Sequence, residues 1–194
     1  MDLQFKTGKK HADAALTAIA TAFGDAFPDH PHGCFVLGSY ARGTGHDSSD
    51  LDVIVVFNHR LTYKSKKQTD QLVPAIKTAL NVEVDIGVCS IDDCPPVWSV
   101  CLRAGHLVSG VDVQPPLPAI EDYVTALIND VVSLIRGLRP GRKVGSIVDY
   151  PDPDLPLYGY EAKPLRDSAG HWAPSTKALS MIILLGRYRT ARLA

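Results

Sequence analysis

The stretch Gly38-Ser39-Tyr40-Ala41-Arg42-Gly43-Thr44, followed by Ser49-Asp50-Leu51-Asp52 and the run Val53-Ile54-Val55-Val56-Phe57, constrains this chain most. The run is β-branched and aromatic, which favours a pleated, buried strand. Alternate strand residues point to one face, so Asp50 and Asp52 should aim at a common point at the strand's entry. Aspartate is disfavoured in strands, and two like charges at one end of a buried strand are costly unless a cation compensates them. Paired carboxylates suit Mg²⁺, which binds nucleotide phosphates through one or two carboxylates plus waters. Upstream, Gly38 lets the backbone turn sharply, and Ser39 sets a hydroxyl beside backbone N–H groups that can receive phosphate oxygens. A plain strand-to-helix turn with Ser39 as N-cap is the competing reading of that dipeptide.

The elements around the motif follow from periodicity. Apolar residues at 12, 15, 16, 19, 22, 23, 26 and 27 make a helical stripe that Pro28 stops. Cys34 to Leu37 reads as a first strand and Leu51 to Phe57 as a second, their mutual direction open. Asn58 to Lys67 reads as a basic loop. It leads into a helix buried through Leu72, Val73, Ile76, Ala79 and Leu80, with Pro74 implying a kink or a later start. Val82 to Val88 alternates as a third strand, with Glu83 and Asp85 opposite the valines. A short helix over 97–102, a strand-like turn at His106-Leu107-Val108 and a long helix from Ile120 to Leu138 complete this part. Pro140-Gly141 ends the last of these. The segment 140–174 has little periodicity and reads as a long ordered loop, and Ser175 is placed to cap a final helix.

Nucleotide chemistry needs the attacking hydroxyl activated, so a third carboxylate is expected on a neighbouring strand. Asp85 is the first choice and Glu83 the reserve. Gly-Ser, ten intervening residues, Asp-x-Asp, an apolar strand and a later strand Asp together resemble the DNA polymerase β-type nucleotidyltransferase superfamily. The wording of the motif is most similar to its small bacterial members, the minimal and antibiotic nucleotidyltransferases. That resemblance implies an α/β (α+β) fold, a mixed sheet flanked by helices with a helical C-terminal region. It implies two Mg²⁺ ions and an NTP donor, ATP favoured. It also implies Gly38 and Ser39 at the triphosphate, Asp50 and Asp52 on both metals, and Asp85 on the catalytic metal. Arg42 and Ser49 match accompanying positions. The strong likeness covers about 20 residues, and a fainter one to aminoglycoside nucleotidyltransferases lies over 102–110.

The expected division is a catalytic domain over 1–117 and a helical region over 118–194. The expected reaction moves NMP from the NTP to a hydroxyl acceptor, with a small molecule slightly preferred. Alternatives are modification of a partner protein, as in minimal nucleotidyltransferase antitoxins, nucleotide addition to RNA, cyclic dinucleotide synthesis, and a non-catalytic nucleotide-binding module. A net charge of −1 argues against a surface built mainly to grip nucleic acid. Four cysteines without paired metal spacing, a polar N-terminus and no long apolar run point to a cytoplasmic protein without a membrane span. Weaker candidates are Lys177 at the triphosphate, His46 at nucleotide or metal, the cluster Arg136, Arg139, Arg142 and Lys143, and the aromatic group Tyr158, Tyr160, His171 and Trp172. Each has an ordinary structural reading as a surface, helix-end or loop-anchoring residue.

Overall fold

The structure is a computed structural model and describes residues 2–47, 49–80 and 82–138, residues 131–138 by backbone alone, with two short strands at 165–166 and 172–173. The chain divides into two compact units, Met1–Pro118 and Ala119–Ala194. The first holds α1 (Lys10–Ala26), β1 (His32–Val36), α2 (Gly38–Ala41), β2 (Leu51–Phe57), α3 (Tyr63–Ala79), β3 (Val84–Ser90), α4 (Pro96–Leu102) and β4 (His106–Gly110). The second holds α5 (Ile120–Leu138) and an antiparallel pair, β5 (Leu165–Arg166) and β6 (Trp172–Ala173).

The four strands of the first unit form one mixed sheet in the order β3-β2-β1-β4. β1 runs antiparallel to both β2 and β4, whereas β2 and β3 are parallel. Strand alternation sends Leu51, Val53, Val55 and Phe57 to one face, where Leu16, Ile19 and Phe23 of α1 and Ile76 of α3 cover them. Phe35, Ile54, Val56 and Cys89 face the other way, onto Leu102 and the partly buried Trp98 of α4. Each fully buried side chain of this size stabilises the fold by about 1.5–3 kcal/mol. Both faces being covered explains why β2 reads as a continuous apolar run and not as an alternating one.

Several boundaries differ from the sequence expectation. The first strand begins at His32, because its backbone pairs with Phe57 at the far end of β2. α3 begins at Tyr63, so much of the expected basic loop is helix. The Thr62 side chain accepts from the Ser65 N–H at 3.1 Å and caps it. Pro74 lies inside α3. β3 starts at Val84 and runs to Ser90, two residues later than the alternation implies, and the turn at 106–108 is a full edge strand. The expected final helix after Ser175 lies outside the described residues, as do 140–174 apart from β5 and β6. Among the described residues, no helix is long and apolar enough to cross a membrane.

Candidate active site

Sheet register brings the motif together. Val36 of β1 stands opposite Val53 of β2, and the ladder continues one step, with the Leu37 N–H donating to the Asp52 carbonyl at 2.9 Å. The chain therefore leaves β1 at Gly38 beside Asp52. Gly38 has φ +66°, and a Cβ there would run into Asp52 Oδ2. Glycine is required twice over, for the left-handed backbone and for the close approach of a carboxylate. Directly after it, Gly38–Ala41 forms a single helical turn whose first N–H groups have no acceptor within the turn itself. Its N-cap position is Leu37, with no side-chain cap, so Ser39 is a residue of the turn and not its cap.

The third carboxylate arrives through the parallel pair. Asp52 of β2 is in register with Asp85 of β3. Neighbouring strands lie about 4.8 Å apart, and in-register residues share a face. Asp50 precedes β2 by one residue. Asp50 and Asp52 are half-buried, whereas the Asp85 side chain is 74% exposed and lies 3.3 Å from Lys77 Nζ of α3. Glu83 is exposed and sits just before β3, its carbonyl accepting from Leu51 N–H at 2.9 Å.

The loop that carries Asp50 is anchored by a residue that periodicity did not single out. Tyr40 is 2% exposed, and its hydroxyl donates to the His46 carbonyl at 2.9 Å. His11 Nε2 of α1 lies 2.9 Å from the Tyr40 hydroxyl oxygen and, with that hydroxyl donating to His46, supplies the donor, while its Nδ1 is 3.8 Å from Asp47 Oδ1. Burial pushes the Tyr40 phenol above its ordinary range, and the nearby Asp47 and Asp50 carboxylates add to this. Ser49 closes the loop from the other side, its Oγ accepting from His46 N–H at 3.1 Å while its own N–H donates to His46 O at 2.8 Å. His106 of β4 holds the end of the helical turn, with Nε2 3.1 Å from the Ala41 carbonyl and its ring stacked on Phe5 at 4.1 Å.

Carboxylates on adjacent strands at one register, with a glycine turn against one of them, are a donor set of hard oxygens suited to Mg²⁺. By ligand type, though not as a closed group of three, these side chains fit that ion. Among the described residues, no group of three or more His, Cys, Asp or Glu is drawn close enough to hold a metal. Residues 16–104, from within α1 to the turn before β4, match the family described as the nucleotidyltransferase domain and include Gly38, Asp50, Asp52 and Asp85. Over those residues the chain is similar to that family.

Solved structures resemble it at low identity. The spectinomycin adenyltransferase AAD(9) from Enterococcus faecialis, with ATP and spectinomycin, is 15% identical and covers 66% of this chain and 68% of its own, with a TM-score of 0.53. A toxin–antitoxin complex with AMP-PNP is 19% identical over 63% of this chain and 92% of its own, at a TM-score of 0.40. A tri-AMPylated Shewanella oneidensis HEPN toxin in complex with MNT antitoxin is 16% identical over 65% and 92%, at 0.38. The likeness to the adenyltransferase is one of fold, and the two lower scores add nothing to it. No curated protein matches the chain.

The other predicted residues are dispersed. Arg42 is exposed at the C-cap of α2, and His46 is exposed with its carbonyl engaged by Tyr40. The side chains of Arg136, Arg139, Arg142, Lys143, Tyr158, Tyr160, His171, Trp172 and Lys177 lie outside the described residues. Tyr40, His11, Lys77 and His106 were not singled out from sequence. Their partners lie elsewhere in the chain, 29 residues away for His11–Tyr40 and 65 for His106–Ala41. Only Tyr40, inside the motif itself, carried a local signal.

Proposed function

We propose that this domain transfers a nucleoside monophosphate from an NTP, with ATP the favoured donor, to the hydroxyl of a small-molecule acceptor. The reading rests on one observation above all. The Gly38 turn, Asp52 and Asp85 meet at one end of the sheet through two independent registers. Asp50, Asp52 and Asp85 would hold Mg²⁺, which when bound neutralises phosphate charge and lowers the pKa of a coordinated hydroxyl. The backbone N–H groups at Gly38 and Ser39 receive the triphosphate oxygens and orient the α-phosphorus. Asp85, the most exposed of the three carboxylates, faces the acceptor and takes part in drawing off its proton. The acceptor oxygen bonds to the α-phosphorus as the bond to pyrophosphate breaks. Arg42 and Ser49 flank the donor, Ser49 by holding the loop that carries Asp50. The presence of ATP and spectinomycin with the adenyltransferase of like fold supports a nucleotide donor and a small acceptor.

The test is to incubate the protein with Mg²⁺ and each α-labelled NTP beside a small-molecule pool, RNA and a cell lysate. Label is expected on a small molecule, with pyrophosphate released. Asp52→Asn is expected to lower the rate at least about a hundredfold. Label on a protein or on RNA would overturn the acceptor class. Full activity in Asp52→Asn would overturn the metal assignment, and no turnover of any NTP would overturn the reaction.

A further inference from the structure

The far end of the β1–β2 pair carries two histidines that the candidate active site does not use. β1 and β2 run antiparallel with His32 opposite Phe57, and the pairing continues one step outward, the Asn58 N–H donating to the Pro31 carbonyl at 2.9 Å. One step further, the two chains bring His30 against His59. His30 Nδ1 lies 2.7 Å from His59 Nε2, and the ring centroids are 5.0 Å apart. Opposed residues of an antiparallel pair hold their side chains close enough to act on one target. About 14 Å of strand separates this end from Val36 and Val53 beside the Gly38 turn.

The backbone that presents these rings is held on both sides. The His30 N–H donates to the Phe27 carbonyl at 3.1 Å, and the His30 carbonyl accepts from His32 Nδ1 at 2.7 Å. Pro31 confines His30 to extended backbone, and the His30 ring stands edge-on to the buried Phe27. Two imidazole nitrogens this close share either one proton or one cation, because two lone pairs or two N–H groups face to face repel. Imidazole nitrogen is a favoured ligand of borderline transition metals, whereas Mg²⁺ takes hard oxygens. Two nitrogens each about 2.0–2.1 Å from a tetrahedral Zn²⁺ stand about 3.3 Å apart. Small rotations of the rings reach that spacing, His59 being exposed and His30 half-buried. The ring that donates in the present pair then carries its proton on its other nitrogen and offers a lone pair.

We propose that His30 Nδ1 and His59 Nε2 form a two-histidine site for a borderline divalent transition-metal ion of the Zn²⁺ kind, with water completing its coordination. Bound there, the ion ties the segment before β1 to the segment after β2, independently of nucleotide chemistry at the opposite end. The test titrates Zn²⁺ into the full chain in excess Mg²⁺, which occupies oxygen sites, and follows the histidine ring nitrogens by NMR. His30 Nδ1 and His59 Nε2 are expected to shift together in a single saturable step, with the melting temperature rising alongside. His59→Gln, at an exposed position, is expected to weaken Zn²⁺ binding at the His30 ring at least about tenfold. His30→Gln should do the same at the His59 ring. Movement of neither ring, or of one ring alone, would overturn the site and leave an ordinary N–H···N hydrogen bond. Parent-like Zn²⁺ binding at His30 in the His59→Gln protein would overturn the ligand pair. Loss of the ring shifts as Mg²⁺ is raised would overturn the choice of ion.

Discussion

Gly38 carries two constraints in one residue. Its φ of +66° is strained for any residue with a side chain, and the space where a Cβ would go is filled by the Asp52 carboxylate. Gly38→Ala should therefore cost about 1–2 kcal/mol from the backbone alone. It should also displace Asp52 and cut nucleotidyl transfer by more than the stability loss accounts for. Thermal melting and turnover measured on the same sample separate the two effects, and an unchanged rate would show that the contact is incidental. Tyr40 illustrates a different dependence. Its ring is buried while its hydroxyl bridges α1 and the His46 carbonyl, so a core residue also sets the path of the loop bearing Asp50.

Elements differ in how much of their extent is local. α1 and α5 match their apolar stripes, α5 at both ends, because helical periodicity is a property of neighbouring residues. α3 starts earlier than its sequence suggests, since Lys64, Lys66 and Lys67 resemble a solvated loop until the Thr62 cap is weighed. Thr62→Ala should destabilise the domain by about 0.5–2 kcal/mol in denaturant unfolding. A shift within error would mean that packing of Ile76 and its neighbours alone defines the helix. β3 starts later than its alternation implies, for a non-local reason. Alternation runs back to Val82, but pairing begins where β2 offers a partner, at Leu51 opposite Val84.

At the scale of the molecule, the first unit is a sheet with apolar cover on both faces, and Cys34 sits in its centre, fully buried. Burial pushes the Cys34 thiol from its ordinary 9.0 up to about 12. The unfolded chain can ionise this thiol from about pH 9, whereas the folded chain resists until about 12. Stability should therefore be unaffected by Cys34 below pH 9 and decline between 9 and 12 as the unfolded state alone loses the proton. Urea midpoints measured from pH 8 to 11 should fall more steeply for the parent than for Cys34→Ala. Parallel slopes would contradict the burial argument.

Much of the candidate site was legible along the chain. Gly38, Asp50 and Asp52 lie within fifteen residues of one another, and turn chemistry, strand alternation and the cost of adjacent carboxylates are all local arguments. Asp85 was legible as a strand carboxylate, but its place beside Asp52 depends on a parallel register that no local pattern encodes. Strand direction, the contact of Gly38 with Asp52 and the Tyr40 anchor all join residues distant in sequence or meeting across strands. Local propensity acts through neighbours a few residues apart, so it can specify a turn or a stripe. Which strand lies beside which is settled by burying both sheet faces and pairing the backbone at once. In this chain that competition among long-range contacts gathers three separately readable carboxylate and glycine signals at one end of one sheet.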